Sequence, residues 1–108
     1  MIRIERYKNG NEYHILLYND KVMKRELSVL CNKDHYYLTN FRSNEMKKGY
    51  GRILLRYTIG LLRDKPIKLY AKPIGKETIE LNALEKFYKS EGFVSIERYS
   101  DFIKMIRK

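Results

Sequence analysis

The stretch Met46-Lys47-Lys48-Gly49-Tyr50-Gly51-Arg52 contains two glycines that flank a single residue, and the apolar run Ile53-Leu54-Leu55 follows it directly. Glycine allows positive φ angles and lets other atoms approach the backbone closely. The first turn of a helix leaves N–H groups without intrahelical partners, and these groups carry partial positive charge. A glycine turn that opens a helix can therefore hold a phosphate group. We predict such a site here, with full charges added by Lys47, Lys48 and Arg52.

The charge of the whole chain leaves a second function open. A formal net charge of +10 favours contact with nucleic acid, an acidic protein surface or a polyanionic small molecule. The 10 tyrosines could also act as stacking platforms for bases, although aromatic residues are common in strands. A basic nucleic-acid-binding module without catalysis is therefore the alternative function. The basic residues are spread along the chain, however, and solvation of the surface explains such a distribution equally well.

Length and composition exclude several classes. The 108 residues fit one compact domain. No apolar run is long enough for a transmembrane helix, and the first residues alternate apolar and charged side chains as a strand does, so we expect no membrane partner. The single cysteine, Cys31, cannot form an internal disulfide, and we expect a reducing, cytoplasmic location. No Cys and His cluster has metal-ligand spacing, so we expect no metal.

The first half of the sequence has the pattern of strands. Alternating apolar residues and turn residues predict four strands, at 1–7, 12–18, 22–31 and 35–41. The pair Asn9-Gly10 is a strong hairpin signal. Because only short turns connect these strands, neighbouring strands must be antiparallel.

The second half changes to a helical period. Apolar residues at i, i+3, i+4, i+7 and i+11 predict one face of a helix that begins after Gly49 and ends before Pro66. The residues of that face are Tyr50, Ile53, Leu54, Tyr57 and Leu61. A short strand at 67–71 follows. Asn82 and Glu85 have the spacing of a capping box and predict a second helix that ends at Gly92, before two closing strands at 93–98 and 101–106.

These elements predict an α+β (mixed α/β) fold. It has one mostly antiparallel sheet of about six to seven strands and two main helices, in a single domain over residues 1–108. The fourth strand, the first helix and the fifth strand form a crossover. This crossover brings the glycine turn to the carboxyl end of the fourth strand, where open sheets usually bind ligands.

Two ordered motifs and the order of the elements resemble the GCN5-related N-acetyltransferases. The family's phosphate turn is (Gln/Arg)-x-x-Gly-x-(Gly/Ala), and the chain has Lys48-Gly49-Tyr50-Gly51 there, with Met46 in the first position. The family's second helix often ends in Phe-Tyr-x-x-x-Gly-Phe, and the chain has Phe87-Tyr88-Lys89-Ser90-Glu91-Gly92-Phe93. The resemblance extends from about Tyr36 to residue 108, and it also includes the small phage-type members of the family.

The resemblance implies an acetyl-CoA-dependent N-acetyltransferase, in which an amine attacks the thioester directly. Typical members carry two helices between the first and second strands, and these helices usually wall one side of the acceptor site. In this chain only the turn at 8–11 connects the first two predicted strands. The resulting open face suits an amine on a macromolecule, either a protein lysine or N-terminus or an RNA-borne amine, because small metabolites need enclosure. A homodimer partner could instead supply the wall. A degenerate relative that binds coenzyme A without turnover remains a further alternative.

The resemblance also implies roles for particular residues. The diphosphate of acetyl-CoA lies on Lys47, Lys48, Gly49, Tyr50, Gly51 and Arg52, and the pantetheine arm lies along the backbone of Phe41 and Arg42. Tyr88 is the candidate catalytic residue, since a tyrosine hydroxyl can protonate the departing thiolate. Candidates for the general base are Glu26, His35 or a chain of water molecules, and the residues alone leave that choice open.

Overall fold

The structure is a computed structural model that describes residues 1–41, 49–72 and 81–108, in seven strands and two helices. The elements in chain order are β1 (Ile2–Asn9), β2 (Glu12–Asn19), β3 (Val22–Cys31), β4 (Tyr36–Phe41), α1 (Tyr50–Leu61), β5 (Ile67–Ala71), α2 (Leu81–Ser90), β6 (Val94–Arg98) and β7 (Ile103–Arg107). All strands join one sheet in the order β1-β2-β3-β4-β5-β7-β6. Only β4 and β5 pair in parallel; the other neighbours are antiparallel. The predicted α+β fold is confirmed.

The connection between β1 and β2 is a two-residue turn, Gly10-Asn11, and Asn9 pairs with Glu12 across it. The turn therefore lies one residue later than the Asn9-Gly10 pair that signalled it. A connection of this length has no room for helices between the first two strands, as the sequence predicts. Neither described helix is both long and apolar enough to span a bilayer.

Both helices pack on the same face of the sheet. Arg52 of α1 donates to the hydroxyl of Ser90 at the end of α2 over 3.0 Å, and the side chains beneath the two helices form the core. Its strand residues include Ile15, Leu17, Leu27, Val29, Leu38, Leu69, Ile103 and Met105, each less than a tenth exposed. In the described part of the chain no helix covers the opposite face. On that bare face Tyr7 is 54% exposed and Tyr70 is 46% exposed.

The buried face of α1 differs from the prediction. Gly51, Leu54, Leu55 and Thr58 are the buried residues of the helix, whereas Ile53, which the apolar spacing predicts to face the core, is exposed. A buried threonine is possible here because its hydroxyl donates to the carbonyl of Leu54 over 2.8 Å. Glycine and threonine are not strongly hydrophobic, so they do not stand out in an apolar pattern. The spacing of the large apolar residues therefore predicted a face that is rotated from the one that is buried.

The capping box predicted for α2 is wrong. Asn82 lies inside the helix, and its side-chain oxygen accepts from Arg98 of β6 over 2.6 Å. Glu85 accepts from Ser95 over 2.6 Å and from Arg98 over 3.1 Å. Both side chains therefore fix α2 to β6. Their partners lie 10 to 16 residues away, so the local spacing could not reveal them.

The predicted end of α2 at Gly92 is confirmed. Gly92 has a φ of +94°. The N–H of Phe93 donates to the carbonyl of Tyr88 over 3.1 Å, and the N–H of Gly92 donates to that of Lys89 over 3.0 Å. These two bonds form a Schellman cap. Its first acceptor is the carbonyl of Tyr88, so the cap fixes the backbone at the predicted catalytic residue.

Candidate functional site

Strands β4 and β5 separate partway along their length. They pair only from Tyr36 to Leu38 on one side and from Ile67 to Leu69 on the other. β4 also bends at Thr39, because the register with β3 shifts between Val29–Leu38 and Ser28–Asn40. A gap therefore opens in the middle of the sheet towards the end of β4. Strand edges with unpaired N–H and C=O groups bind extended ligands through backbone hydrogen bonds.

A cluster of aromatic rings closes one end of this gap. The ring of Phe41, the last residue of β4, lies 6.3 Å from that of Tyr88 and 6.5 Å from that of Phe87, measured between centroids. Tyr88 also contacts Phe93, with 5.6 Å between the centroids. The structure thus brings two sequence-predicted site residues, Phe41 and Tyr88, to the same place. Tyr88 is only 4% exposed, so its ring belongs to the packed part of the cluster.

The first turn of α1 is open towards solvent at Gly49. This residue is the N-cap in the left-handed conformation, with φ 73° and ψ 4°. Among residues 1–41, 49–72 and 81–108 no side chain caps the helix, and the first turn holds no acidic residue. A Cβ atom built on Gly49 would meet no described residue within 4 Å, so on that side a ligand oxygen has room to approach the backbone. The predicted site residues Arg42, Lys47 and Lys48 lie outside the described residues and stay predictions.

The two other motif residues in this turn face the protein. The hydroxyl of Tyr50 accepts from Asn19 at the end of β2 over 2.8 Å, so the ring fixes the start of α1 to the sheet and only its backbone faces the turn. Gly51 is buried, and a Cβ atom there would lie 3.6 Å from the ring of Phe41. That distance is an ordinary van der Waals contact, so alanine fits at Gly51.

The two glycines therefore differ in their tolerance of alanine. We expect Gly49→Ala to destabilise the protein by about 1–2 kcal/mol, because left-handed backbone is unfavourable for residues with a Cβ atom. We expect Gly51→Ala to be neutral or to stabilise by up to about 1 kcal/mol, because alanine favours helix over glycine. Urea unfolding of the two variants measures both values. Equal shifts of the same sign would contradict the conformation described for Gly49.

Arg52 is held by a residue that the sequence analysis missed. Its Nη1 donates to a carboxylate oxygen of Glu91 and its guanidinium lies 4.9 Å above the ring of Phe87. Arg56, one turn later, donates to the same carboxylate from Nε over 2.8 Å and from Nη2 over 3.1 Å. The backbone carbonyl of Glu91 in turn accepts from Arg107 of β7 over 2.8 Å. Glu91 thus connects α1, the cap of α2 and the last strand.

The electrostatics of Glu91 favour its ionised form. Burial alone would raise the pKa of Glu91, but the hydrogen bonds and charges of Arg56 and Arg52 outweigh it and hold the pKa below its ordinary value of 4.5. Because the pKa of Glu91 is lower in the folded protein, its ionised carboxylate stabilises the fold at pH values above its ordinary pKa of 4.5. This stabilisation is lost as the pH falls through the lowered pKa of the folded state. The sequence did contain a signal for this contact: Arg52 and Arg56 are four residues apart on one helix face, where two like charges repel and an acidic neighbour is favourable. It could not show which acid.

The two candidate bases lie near opposite ends of β4. His35 precedes β4 and is separated from Phe41 by the whole strand, about 20 Å at the usual rise per residue. Its ring nitrogens contact Asp34 over 2.7 Å and Asn32 over 3.2 Å. Glu26 is adjacent to Leu27, which pairs with Phe41. Because Leu27 faces the core, Glu26 lies on the bare face beside the gap. Along the sheet Glu26 is therefore the nearer of the two to Phe41, on the face opposite the aromatic cluster.

The bare face carries a groove of about 390 Å³ across β4, β5, β7 and β6. Its lining includes His35, Tyr37, Lys68, Tyr70, Ile96 and Lys104. Burial and the neighbouring Tyr70 raise the pKa of Tyr37 to about 12, so its hydroxyl stays protonated at neutral pH. The rings of Tyr37 and Tyr70, both in its lining, lie 5.5 Å apart between centroids.

Solved structures of acetyltransferases have the same architecture. Escherichia coli ElaA matches with a TM-score of 0.73 and 22% identity over 93% of this chain and 70% of its own. The ribosomal-protein-S18-alanine N-acetyltransferase of Escherichia coli matches at 0.74 and 19% identity over the same shares. The PaiA N-acetyltransferase of Thermoplasma acidophilum, solved in complex with coenzyme A, matches at 0.70 and 15% identity over 91% of this chain and 61% of its own.

Sequence comparison adds no closer relationship. No protein-family model matches the chain, and no curated protein matches it. Identities this low establish a shared fold and nothing finer. The structural match to ElaA covers 93% of this chain, so the shared architecture extends over nearly all of it. The chain therefore has the fold of the GCN5-related N-acetyltransferases.

Proposed function

We propose that this protein is an acetyl-CoA-dependent N-acetyltransferase that transfers an acetyl group to an amine on a macromolecule. One observation carries the proposal: the open turn at Gly49 and the aromatic cluster at Tyr88 lie at the same end of a gap between two parallel strands. Acetyl-CoA has a charged diphosphate and a long uncharged pantetheine arm that ends in a thioester. A phosphate cradle and a strand edge are complementary to those two parts.

The residues present fit the donor substrate. The first turn of α1 offers backbone N–H groups beside Gly49, where the absence of a side chain leaves space. Arg52 adds a positive charge at that turn, and Lys47, Lys48 and Arg42 are proposed to add more. The backbone of β4 up to Phe41 is proposed to hold the pantetheine arm, since β5 no longer occupies that edge.

The proposed reaction is a direct transfer. The lone pair of a neutral amine attacks the thioester carbonyl carbon and forms the C–N bond. The C–S bond then breaks, and the thiolate of coenzyme A takes a proton from the hydroxyl of Tyr88, which solvent restores. The attacking nitrogen loses one proton to Glu26 or to water. Acetylated amine and coenzyme A are the products, so atoms and charges balance.

The bare sheet face supports a macromolecular acceptor. A small metabolite is usually bound in an enclosed pocket, whereas the groove on this face is partly open to solvent and has no helix above it in the described ranges. One structural match is by its name an acetyltransferase of a ribosomal protein alanine. Whether the acceptor is a protein lysine, a protein N-terminus or an RNA-borne amine is decided by incubating a lysate with isotopically labelled acetyl-CoA and identifying labelled species by mass spectrometry.

Binding of the donor is the first test of the proposal. Isothermal titration calorimetry with coenzyme A should give measurable heat, and coenzyme A should raise the unfolding temperature. Neither heat nor a thermal shift at millimolar coenzyme A would end the proposal. If coenzyme A does not bind and the protein instead binds RNA or DNA with an affinity that falls steeply with salt, the nucleic-acid-binding alternative is favoured.

Glu26→Gln tests the proposed base. With poly-L-lysine as acceptor and coenzyme A release as the readout, we expect kcat/KM for the acceptor to fall about 100-fold, because glutamine cannot accept the proton. Glu12→Gln is the matched control, since Glu12 lies on the same face at the distant end of β2. An unchanged kcat/KM for Glu26→Gln would leave water as the proton acceptor.

A further inference from the structure

Glu91 occupies a position between the two ends of the proposed donor site. Its carboxylate accepts from Arg52 in the first turn of α1, beside the glycine cradle. Its own backbone belongs to the cap of α2: the N–H of Glu91 donates to the carbonyl of Tyr88 over 3.0 Å. Glu91 therefore contacts Arg52 through its carboxylate and the backbone carbonyl of Tyr88 through its N–H.

The surroundings of Arg52 make this connection stiff. Besides Glu91, the Nη1 of Arg52 contacts the hydroxyl of Ser90 over 3.0 Å, and that hydroxyl donates to the carbonyl of Phe87 over 2.6 Å. The guanidinium lies over the ring of Phe87, whose other neighbours are Phe41 and Tyr88. A guanidinium held by stacking and by charge-assisted hydrogen bonds loses little entropy when it binds a further anion.

We propose that Glu91 is a positioning residue that fixes Arg52 and Tyr88 relative to each other, so that phosphate binding and thiolate protonation depend on the same carboxylate. This inference rests on the proposed function and adds a residue to it. Glu91 touches neither substrate in this scheme. It acts through Arg52 on donor affinity and through the end of α2 on turnover.

The chain offers a matched control for the structural part of this role. Arg56 forms two hydrogen bonds to Glu91, its side chain is 65% exposed, and it lies one turn further from the cradle than Arg52. Arg56→Gln therefore weakens the same ion-pair cluster but leaves the Arg52–Glu91 contact in place. If Glu91→Gln acted only by lowering stability, Arg56→Gln would change coenzyme A binding and turnover to the same extent.

The test compares Glu91→Gln with Arg56→Gln in coenzyme A binding by calorimetry and in acetyl transfer to poly-L-lysine. Glutamine keeps the size of the side chain and removes its charge. We expect Glu91→Gln to raise the Kd for coenzyme A about tenfold, the usual effect of weakening one charge-assisted hydrogen bond, and to lower kcat about tenfold. Arg56→Gln should change each value by less than about twofold at a comparable loss of unfolding temperature. Glu91→Asp, which keeps the charge, should recover part of both losses.

A double-mutant cycle with Arg52→Gln separates the remaining explanations. If Glu91 acts through Arg52, the Kd of the double variant equals that of Arg52→Gln alone. Additive effects, tighter binding by Glu91→Gln, or an unchanged Kd with only a lower unfolding temperature would each overturn the inference and leave the proposed function intact. Failure of the unchanged protein to bind coenzyme A would instead overturn the proposed function, and this inference with it.

Discussion

The Tyr88→Phe variant is expected to transfer acetyl about 100-fold more slowly than the unchanged protein, because phenylalanine has no hydroxyl to protonate the thiolate. Donor binding should change by less than about threefold. The ring of residue 88 keeps its contacts with Phe41, Phe87 and Phe93, which fix its position in the aromatic cluster. Single-turnover release of coenzyme A with poly-L-lysine as acceptor measures the rate, and calorimetry measures the affinity.

Tyr57→Phe is the control for that experiment. Tyr57 lies on α1, and its hydroxyl contacts only the exposed Arg6 among the hydrogen bonds of the described residues. The same chemical change there should leave both rate and affinity as they were. If Tyr88→Phe and Tyr57→Phe have equal rates, the thiolate takes its proton from water, and Tyr88 is a packing residue of the cluster.

The second large effect concerns stability. We expect Gly92→Ala to destabilise the protein by about 2–4 kcal/mol. Part of this cost is the left-handed backbone at φ +94°. The rest comes from Arg107, because a Cβ atom at residue 92 would lie 2.8 Å from its Nε. Moving Arg107 breaks its hydrogen bond to the carbonyl of Glu91 and leaves a partly buried acceptor without that donor. Thermal unfolding should show a decrease of roughly 10–20 °C.

Gly60→Ala makes the same substitution in a setting that tolerates it. Gly60 is exposed in α1, its φ is not positive, and a Cβ atom there would meet nothing within 4 Å. Alanine should therefore stabilise the helix by up to about 1 kcal/mol. Opposite signs for the two variants would confirm that Gly92 is required by the cap. A small loss at Gly92 would mean that Arg107 moves aside without cost.

The parts of the fold that the sequence predicts well depend on short-range patterns. Alternation along each strand and the short turns between strands predict the antiparallel order of the first four strands. The glycine at 49 predicts the start of α1, and Gly92 predicts the end of α2. Each of these signals lies within a few residues of the feature it predicts. The local backbone chemistry therefore decides these features almost alone.

The parts that the sequence does not predict depend on distant partners. Asn82 has the chemistry of a helix cap, but Arg98 of a later strand binds its side chain. Thr58 is buried because its hydroxyl donates to the helix backbone at Leu54, and Gly51 is buried because it packs against Phe41. The hydropathy of these two residues does not indicate their burial. Glu91 appears in the motif as an unremarkable variable position. Only the packing of α2 against α1 brings it to two arginines some 35 to 39 residues away.

The molecule is a slab only 21 Å thick, against 38 and 35 Å in its other dimensions. An acetyl group held where β4 leaves β5 would be separated from bulk water on the bare side by no more than one sheet. Such a thioester is poorly protected from hydrolysis until something covers it. In the proposed enzyme the acceptor would therefore do more than present an amine: its own surface would complete the wall and exclude water at the moment of transfer.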